Sequence, residues 1–144
     1  MKLTCLACGA ANRVPEDKLD AGPKCGVCGE RLADGRAREI DWTMLGKALR
    51  ADGAPLIVDF WAPWCGPCRM MGLHFAEAAR SLAPHVRAAK LNTEAFPQAG
   101  AAFGIRGIPL LIAFRGGREL GRLTGAQPAR AILDWTRNVA GAAA

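Results

Sequence analysis

Residues 58–69 read VDFWAPWCGPCR. The apolar run 56–61, which opens this stretch, is nearly continuous, as expected of a strand covered on both faces of its sheet. From Gly66 to Leu82 the apolar residues recur with helical spacing. The stretch therefore predicts a buried strand, a tight turn and a helix, with a Cys-x-x-Cys pair at the turn.

Cys65 and Cys68 are predicted to exchange a dithiol with disulfides. Gly66-Pro67 lets the chain turn so that the two sulfurs meet, and the helix begins at the same place. A thiol at a helix N-terminus faces unpaired N–H groups and the positive dipole end, which favour the thiolate. We predict that Cys65 is the nucleophile and that Cys68 resolves the mixed disulfide. Half of a metal site or an inert pair is the alternative, but the spacing of His74 and His85 supplies no second pair for a metal.

Asp59 lies in the middle of the apolar strand, six residues before Cys65. A buried, unpaired carboxylate is costly when ionised, so burial should raise its pKa. Asp59 is therefore a candidate to accept and return the proton of the Cys68 thiol. Lys90, on the next predicted strand, is the cation positioned to shift the pKa of Asp59. The alternative interpretation is a carboxylate hydrogen-bonded at a strand end.

Helix and strand signals alternate along the rest of the chain. The predicted elements are a helix over 42–51 capped by Asp41, a strand over 56–61, a helix over 66–82, a strand over 86–92, a short helix over 94–103, strands over 109–114 and 119–123, and a helix opened by Pro128. Arg115-Gly116-Gly117-Arg118 is predicted as a hairpin turn. This order predicts an α/β fold whose mixed sheet has an antiparallel edge and helices on both faces. Residues 141–144 are expected to fray.

Ile108-Pro109 stands at the start of a predicted strand. Proline donates no ladder hydrogen bond, and a cis peptide bond is a common reason for such a placement. The backbone beside it would be free to accept an extended peptide by strand addition.

These motifs resemble the thioredoxin family. The resemblance rests on residues 58–69, 89–92, 103–109 and Gly125 in order and spacing, and it covers about 39–140. It implies the thioredoxin fold, protein-disulfide reduction, electrons from thioredoxin reductase and a redox-active Cys65–Cys68 disulfide with no organic cofactor. It also implies a cis-Pro109 facing the dithiol. By the same resemblance, the substrate groove is lined by Trp64, Gly66, Pro67, Ile108, Pro109 and Gly125.

Two positions depart from the family pattern. Leu73 stands where many thioredoxins have a proline that kinks the active-site helix, and Leu110 stands where threonine often follows the cis-proline. We expect Leu110 to make the rim of the groove more apolar. Pro67, between the cysteines, favours a reductant over an oxidant or isomerase by family analogy.

Four further cysteines occur near the start of the chain, in the pattern C-x₂-C-x₁₆-C-x₂-C. They are Cys5, Cys8, Cys25 and Cys28. Glycine follows the second cysteine of each pair, where it allows a tight turn, and the spacing is within the range of zinc ribbons. One zinc ion is favoured over a rubredoxin-like iron because the function needs no further electron carrier. Redox-active disulfides are the third option.

A cysteine-rich segment before a thioredoxin domain resembles the zinc-containing thioredoxin-2 type of bacteria. We therefore divide the chain into a Cys₄ zinc-binding segment, residues 1–35, and a thioredoxin domain, residues 36–144. The first segment has too few large apolar residues for an independent core, so we expect the metal, structural or regulatory, to stabilise it. A redox-regulated zinc-binding chaperone or adaptor, whose thioredoxin domain mainly docks clients, is the competing function. The intact Cys65, Cys68 and Asp59 argue against it.

Composition restricts location and partners. The 144 residues carry a formal charge of +6, but no basic run is interleaved with aromatic residues, so we expect no nucleic-acid partner. No stretch approaches the roughly 20 apolar residues of a membrane span, and no signal-peptide pattern is present. Six cysteines in such a sequence fit metal and redox chemistry in a reducing compartment. We expect a cytoplasmic monomer that acts on disulfide-containing proteins.

Overall fold

The computed structural model describes residues 1–141; the rest of the segment predicted to fray, 142–144, lies outside the described residues. Two sheets and four α-helices make up the fold of these described residues. In chain order the elements are β1 (Lys2–Thr4), β2 (Ala11–Arg13), a 3₁₀ helix (Glu16–Ala21), β3 (Ala37–Glu39), α1 (Trp42–Ala51), β4 (Leu56–Trp61), α2 (Gly66–Leu82), β5 (Arg87–Asn92), α3 (Gln98–Phe103), β6 (Leu110–Arg115), β7 (Arg118–Thr124) and α4 (Ala129–Ala140).

The central sheet has five strands in the order β3-β5-β4-β6-β7. β4 runs parallel to β5 and antiparallel to β6, so the predicted mixed sheet with an antiparallel edge is confirmed. The turn between β6 and β7 is the predicted Gly-Gly turn, since Gly116 and Gly117 have φ values of 58° and 78°. The edge strand β3 was not predicted, because three residues are too few to show a periodicity.

β4 separates two apolar layers. Val58 and Phe60 belong to one buried cluster, which α1 and α3 cover, and Ile57 belongs to the other, under α2 and α4. Alternate residues of a strand point to opposite faces of its sheet, so Asp59 faces the same layer as Ile57. The centre of the sheet is therefore buried on both sides, as the apolar run predicts.

Local capping explains where the helices begin. The Asp41 side chain accepts a hydrogen bond from Met44 N at 2.7 Å, so α1 begins at the predicted residue. α3 begins later than predicted, at Gln98, because Asn92 Oδ1 accepts from the N–H groups of Glu94 and Ala95 and holds that segment in a turn. Such side-chain bonds compete with helix formation.

Leu73 and Leu110 are accommodated differently. α2 is one continuous helix from Gly66 to Leu82, and Leu73 lies exposed on it. Leu110 is buried in the cluster with Val58 and Phe60. The expectation that Leu110 lines the groove rim is therefore wrong, because its side chain points from β6 into the core.

The cysteine-rich segment contains two similar tight turns. Cys5 N donates to Ala10 O and Gly9 N to Cys5 O, at 2.8 and 2.7 Å; Cys25 N and Gly29 N make the matching bonds. Gly9 and Gly29 have φ values of 84° and 80°, which favour glycine. Leu3, Val14, Leu19 and Leu32 form a small buried cluster with two of the cysteines and with Ala54 of the longer segment.

A buried ion pair joins this segment to the sheet. Arg87, at the start of β5, pairs with Asp52, which follows α1. Asp52 Oδ1 accepts from Thr4 N at 2.7 Å, and one Arg87 nitrogen donates to Thr4 O and Leu32 O, at 2.8 and 3.0 Å. The residue before Cys5 is thus bonded to both members of the pair.

None of the helices within residues 1–141 combines the length and apolar character needed to cross a membrane.

Candidate functional site

The two cysteines of the central motif lie at the junction of β4 and α2. Cys65 and Cys68 are joined as a disulfide, with their Cα atoms 5.2 Å apart. Cys65 is the N-cap of α2, and its sulfur accepts a hydrogen bond from Cys68 N at 3.2 Å. Pro67 occupies the first turn of the helix, where its missing N–H leaves no bond unmade. One N–H group of the first helical turn, that of Cys68, therefore points at the Cys65 sulfur.

The predicted groove residues fall into two groups around the disulfide. Trp64, Gly66 and Pro67 lie on the exposed turn that flanks it, and the Trp64 side chain is 69% exposed. The backbone before Pro109 faces the disulfide from the other side: Ile108 O lies 3.9 Å from Cys65 Sγ, and the Ile108–Pro109 peptide bond is cis. A chain that binds here would meet both groups.

A groove of about 370 Å³ runs beside the disulfide. Among the described residues it brings together Trp64 and Ile108, with Ile105 and Arg106 along one wall. Gly66, Pro67, Pro109 and Gly125 do not line it. Gly125 is instead tied to the cis-proline, because Gly125 N donates to Pro109 O at 2.9 Å.

Asp59 is 0% exposed, and neither carboxylate oxygen has a hydrogen-bond partner within residues 1–141. Burial raises the pKa of Asp59 to about 7, against the opposing effect of Lys90. Lys90 lies directly across from it in the register of β4 and β5. The carboxyl thus titrates near neutral pH, as a group that takes up and releases protons must.

Sequence reasoning missed Glu39. It lies in register with Lys90 across β3 and β5, so Glu39, Lys90 and Asp59 form one row on one face of the sheet. Burial raises the pKa of Glu39 above its usual range. The pairing depends on β3, so only recognition of that strand in the sequence would have found Glu39.

The four N-terminal sulfurs lie within 4.8 Å of one another. Cys5 Sγ is 3.6 Å from Cys28 Sγ, and Cys8 Sγ is 3.7 Å from Cys25 Sγ. A tetrahedral ion with Zn–S bonds of about 2.3 Å separates its ligand sulfurs by about 3.8 Å. The cluster therefore fits a metal ion of zinc's size and thiolate preference. The second cysteine of each knuckle is exposed and the first is buried.

Hydrogen bonds prepare one of these sulfurs, that of Cys25, to bind a cation, whereas the pKa values of Cys8 and Cys28 are raised. Hydrogen bonds from the backbone at Cys28, from Asn12 and from Val27 lower the pKa of Cys25 to about 6. Asn12 Nδ2 lies 3.5 Å from Cys25 Sγ, and its Oδ1 accepts from Gly26 N at 2.9 Å. Asn12 supports the second knuckle in this way, a role that sequence reasoning missed because nothing in the spacing marks it.

Comparison with known proteins agrees with this geometry. Residues 42–138 match the family model described as Thioredoxin. The chain belongs to the thioredoxin family. Residues 4–30 also match a zinc-ribbon family model described as Thioredoxin 2, N-terminal, which supports metal binding by the clustered cysteines. The resemblance to zinc-containing thioredoxins is thus confirmed for both parts of the sequence.

Individual thioredoxins match over different lengths. Thioredoxin C-3 of Corynebacterium nephridii is 39% identical over 135 residues, covering 94% of this chain and 92% of that relative. The thioredoxin of Alicyclobacillus acidocaldarius is 49% identical over 82 residues, covering 57% of this chain and 77% of its own length. A variant thioredoxin from Halobacterium salinarum superposes with a TM-score of 0.67 at 25% identity, over 75% of this chain and 94% of that one.

Family membership decides the chemistry of the central motif. The protein is a thiol–disulfide oxidoreductase, and Cys65–Cys68 is its active-site pair. The thioredoxin fold is likewise confirmed.

Proposed function

We propose that this thioredoxin reduces disulfides of other proteins in the cytoplasm, is itself reduced by thioredoxin reductase, and carries one structural zinc ion. The observation that carries the proposal is the position of Cys65, capping α2 beside Ile108 O and the exposed Trp64. An extended peptide in the groove would place its disulfide against that sulfur. In this proposal residues 1–35 bind the zinc ion, and residues 36–144 carry the Cys65–Cys68 dithiol.

Reduction takes two exchange steps. The Cys65 thiolate attacks one sulfur of the substrate disulfide, which forms a mixed disulfide and releases the other substrate sulfur as a thiolate. Cys68 then attacks the Cys65 sulfur, closes the Cys65–Cys68 disulfide and releases the second substrate thiolate. Two electrons pass from the dithiol to the substrate, and the released thiolates take up protons.

Asp59 moves the proton that the second step requires. Cys68 is buried away from water, so its thiol must lose its proton to a protein group inside the same water-excluded site. Asp59 lies on the sheet face that α2 covers, and its pKa of about 7 suits both acceptance and return of that proton. Lys90 favours the ionised form of the acceptor.

The substrate is held by the surface around the disulfide. Trp64, Gly66 and Pro67 contact it on the side of α2, and Ile108, Pro109 and Gly125 contact it on the side of β6. Ile108 O faces the disulfide and can pair with an extended chain, so recognition depends on the substrate backbone more than on its side chains. This suits a reductant of many different proteins.

Cys5, Cys8, Cys25 and Cys28 hold the zinc ion. Zinc has no redox chemistry, so the four thiolates supply a structural site that does not compete with Cys65 for electrons. The ion cross-links the two knuckles of a segment whose own apolar cluster is small.

Insulin reduction with dithiothreitol as electron donor tests the proposal. Wild-type protein should precipitate the insulin B chain well before the background reaction does. Cys65→Ser should reduce insulin no faster than dithiothreitol alone, because no mixed disulfide forms at the nucleophile. Cys8→Ser, which alters an exposed cysteine of the other set, is the matched control and should keep the dithiol active. Equal rates for wild type and Cys65→Ser would contradict the proposal.

A further inference from the structure

Three ionisable side chains lie in one row across the sheet. Glu39 of β3 is paired in register with Lys90 of β5, and Lys90 is paired with Asp59 of β4. Register partners on neighbouring strands project to the same face, about 4.8 Å apart from strand to strand. The order along the row is thus an exposed carboxylate, an ammonium group and a buried carboxylate.

Lys90 is bonded to neither carboxylate. No acidic oxygen of residues 1–141 lies within 4 Å of its Nζ. Nζ instead lies 4.8 Å from the centroid of the Trp61 ring. Under α2 it occupies the space left by Gly72, where an added Cβ would lie 3.3 Å from it. The ammonium group therefore stands between two acids that both attract it.

The solvent end of the row opens into a groove. A groove of about 420 Å³ at the carboxyl ends of β3, β5 and β4 is lined by Glu39, Trp61 and Asn92, among others. Glu39 thus contacts solvent, whereas Asp59 does not. Changes at Glu39 reach the buried acid through Lys90 and through the direct repulsion between the two carboxylates.

We propose that Glu39 is a positioning residue that shares Lys90 with Asp59 and thereby sets the pH range in which the dithiol exchanges. The inference rests on the proposed proton role of Asp59. When Glu39 is ionised it draws Lys90 toward the groove, which leaves Asp59 less stabilised as an anion. When Glu39 is neutral, the Lys90 ammonium group stabilises only the Asp59 anion.

The other elements around Asp59 supply few competing charges. β6 faces it with Leu111, and α4 contributes Ile132 to the same apolar cluster. α2 contributes Met71 to that cluster, and the Cys68 thiol of the reduced protein lies three residues before Met71 on the same helix. The remaining ionisable residues in the first three turns of α2 are Arg69, His74 and Glu77, of which Arg69 and Glu77 are exposed and His74 is half-buried. Lys90 lowers and Glu39 raises the pKa of Asp59, as the row requires.

The pH dependence of dithiol exchange in full-length protein tests the inference. Reduced protein would be mixed with insulin in single-turnover experiments followed by tryptophan fluorescence, from pH 5 to 9. Exchange should rise with pH as Asp59 and the Cys65 thiol ionise. Glu39→Gln removes a negative charge and frees Lys90, and both changes favour ionised Asp59. The rising limb should therefore move to lower pH by about half a unit. Carbon-13 NMR of the Asp59 carboxyl should report the same shift directly.

Control variants separate the inference from its premise. Glu77→Gln, the same charge change at an exposed residue outside the row, should leave the limb in place. In a Lys90→Gln background the shift caused by Glu39→Gln should shrink, because only direct repulsion remains. A limb that Asp59→Asn shifts or reduces but Glu39→Gln leaves unmoved would overturn the inference alone. A limb with the same midpoint and amplitude in Asp59→Asn as in the wild type would overturn the proton role of Asp59 as well.

Discussion

The molecule uses the same Cys-x-x-Cys spacing in two ways. In the N-terminal segment a glycine with positive φ closes each knuckle, and the sulfurs of one knuckle face those of the other at 3.6 and 3.7 Å. At Cys65 and Cys68 a helix follows instead, no second pair lies opposite among the described residues, and the sulfurs bond to each other. The residue spacing is therefore not what decides between metal binding and redox exchange. The backbone that follows the pair and the presence of a partner pair decide it.

The largest expected effect comes from removing one metal ligand. Cys5→Ser should reduce the zinc content from one ion per chain to none and unfold the N-terminal segment. Zinc-binding free energy in such modules is largely folding free energy, about 10–16 kcal/mol. Elemental analysis and amide hydrogen exchange of residues 1–35 would measure both effects.

Cys65→Ser is the counterpart in the other pair and should keep its zinc. The comparison of the two cysteine sites fails if Cys5→Ser retains stoichiometric zinc, or if the purified wild-type protein holds iron in its place.

The junction between the two regions gives the next largest effect. Arg87→Met should lower the free energy of unfolding by about 3–5 kcal/mol, because it leaves the Asp52 carboxylate buried without its partner. Thr4 O and Leu32 O would lose a donor at the same time. Urea unfolding at constant zinc concentration measures the change.

Arg130→Met is the matched control for that experiment. Its pair with Asp134 is exposed, with an N–O distance of 3.3 Å, and exposed pairs contribute at most about 1 kcal/mol. Similar losses for the two variants would mean that the buried pair does not hold the segments together.

The sequence predicts the two cysteine regions unequally. In the longer segment the strand and helix around Cys65 and the Gly116-Gly117 hairpin turn are all confirmed, because long apolar periodicities and paired glycines carry local information. In the N-terminal segment the metal ligands follow from spacing, but the 3₁₀ helix and the β1–β2 hairpin do not. Those elements are three to six residues long, and β1 is also bonded to distant residues, since Thr4 contacts Asp52 and Arg87.

Contacts between distant residues were the harder part of the candidate site. Asp59 and Lys90 were predicted together because both lie on strands with clear patterns. Glu39 and Arg87 were not predicted. Glu39 lies beside Lys90 in the sheet, and Arg87 begins the strand that contains Lys90. Their roles depend on a short edge strand and on a carboxylate from another element, and neither leaves a pattern in a single sequence.

Ionisation of the buried Asp59 carboxyl should lower the free energy of unfolding of the protein. Burial raises the pKa of Asp59 from 3.8 to about 7, so the folded protein binds a proton more tightly than the unfolded chain. Between about pH 4 and pH 7 the folded state therefore loses stability as pH rises. Asp59→Asn should remove this loss, which is at most about 4 kcal/mol above pH 7 and absent below pH 4.

Urea unfolding of wild type and Asp59→Asn across that pH range gives the difference curve. Asp134→Asn, at an exposed position, should give a flat difference. A flat curve for Asp59→Asn would show that the carboxyl is not destabilised by burial, and the proposed acceptor would then lack its basis.

The smallest expected effects come from two exposed apolar side chains, one in each cysteine region. Trp64 is 69% exposed beside Cys65, and Val27 is 78% exposed between Cys25 and Cys28. Either residue changed to serine should alter the free energy of unfolding by less than about 0.5 kcal/mol, because neither is packed in a core.

Their functional effects should differ. Trp64→Ser should raise the KM for insulin about tenfold, since an aromatic residue at the centre of a binding surface typically contributes more than 1 kcal/mol. It should leave the rate with a small disulfide such as hydroxyethyl disulfide nearly unchanged, because that substrate does not reach the groove. Val27→Ser should change neither rate. A KM increase in Val27→Ser would mean that the substrate also contacts the Cys25–Cys28 knuckle. The two cysteine regions would then form parts of one substrate-binding surface.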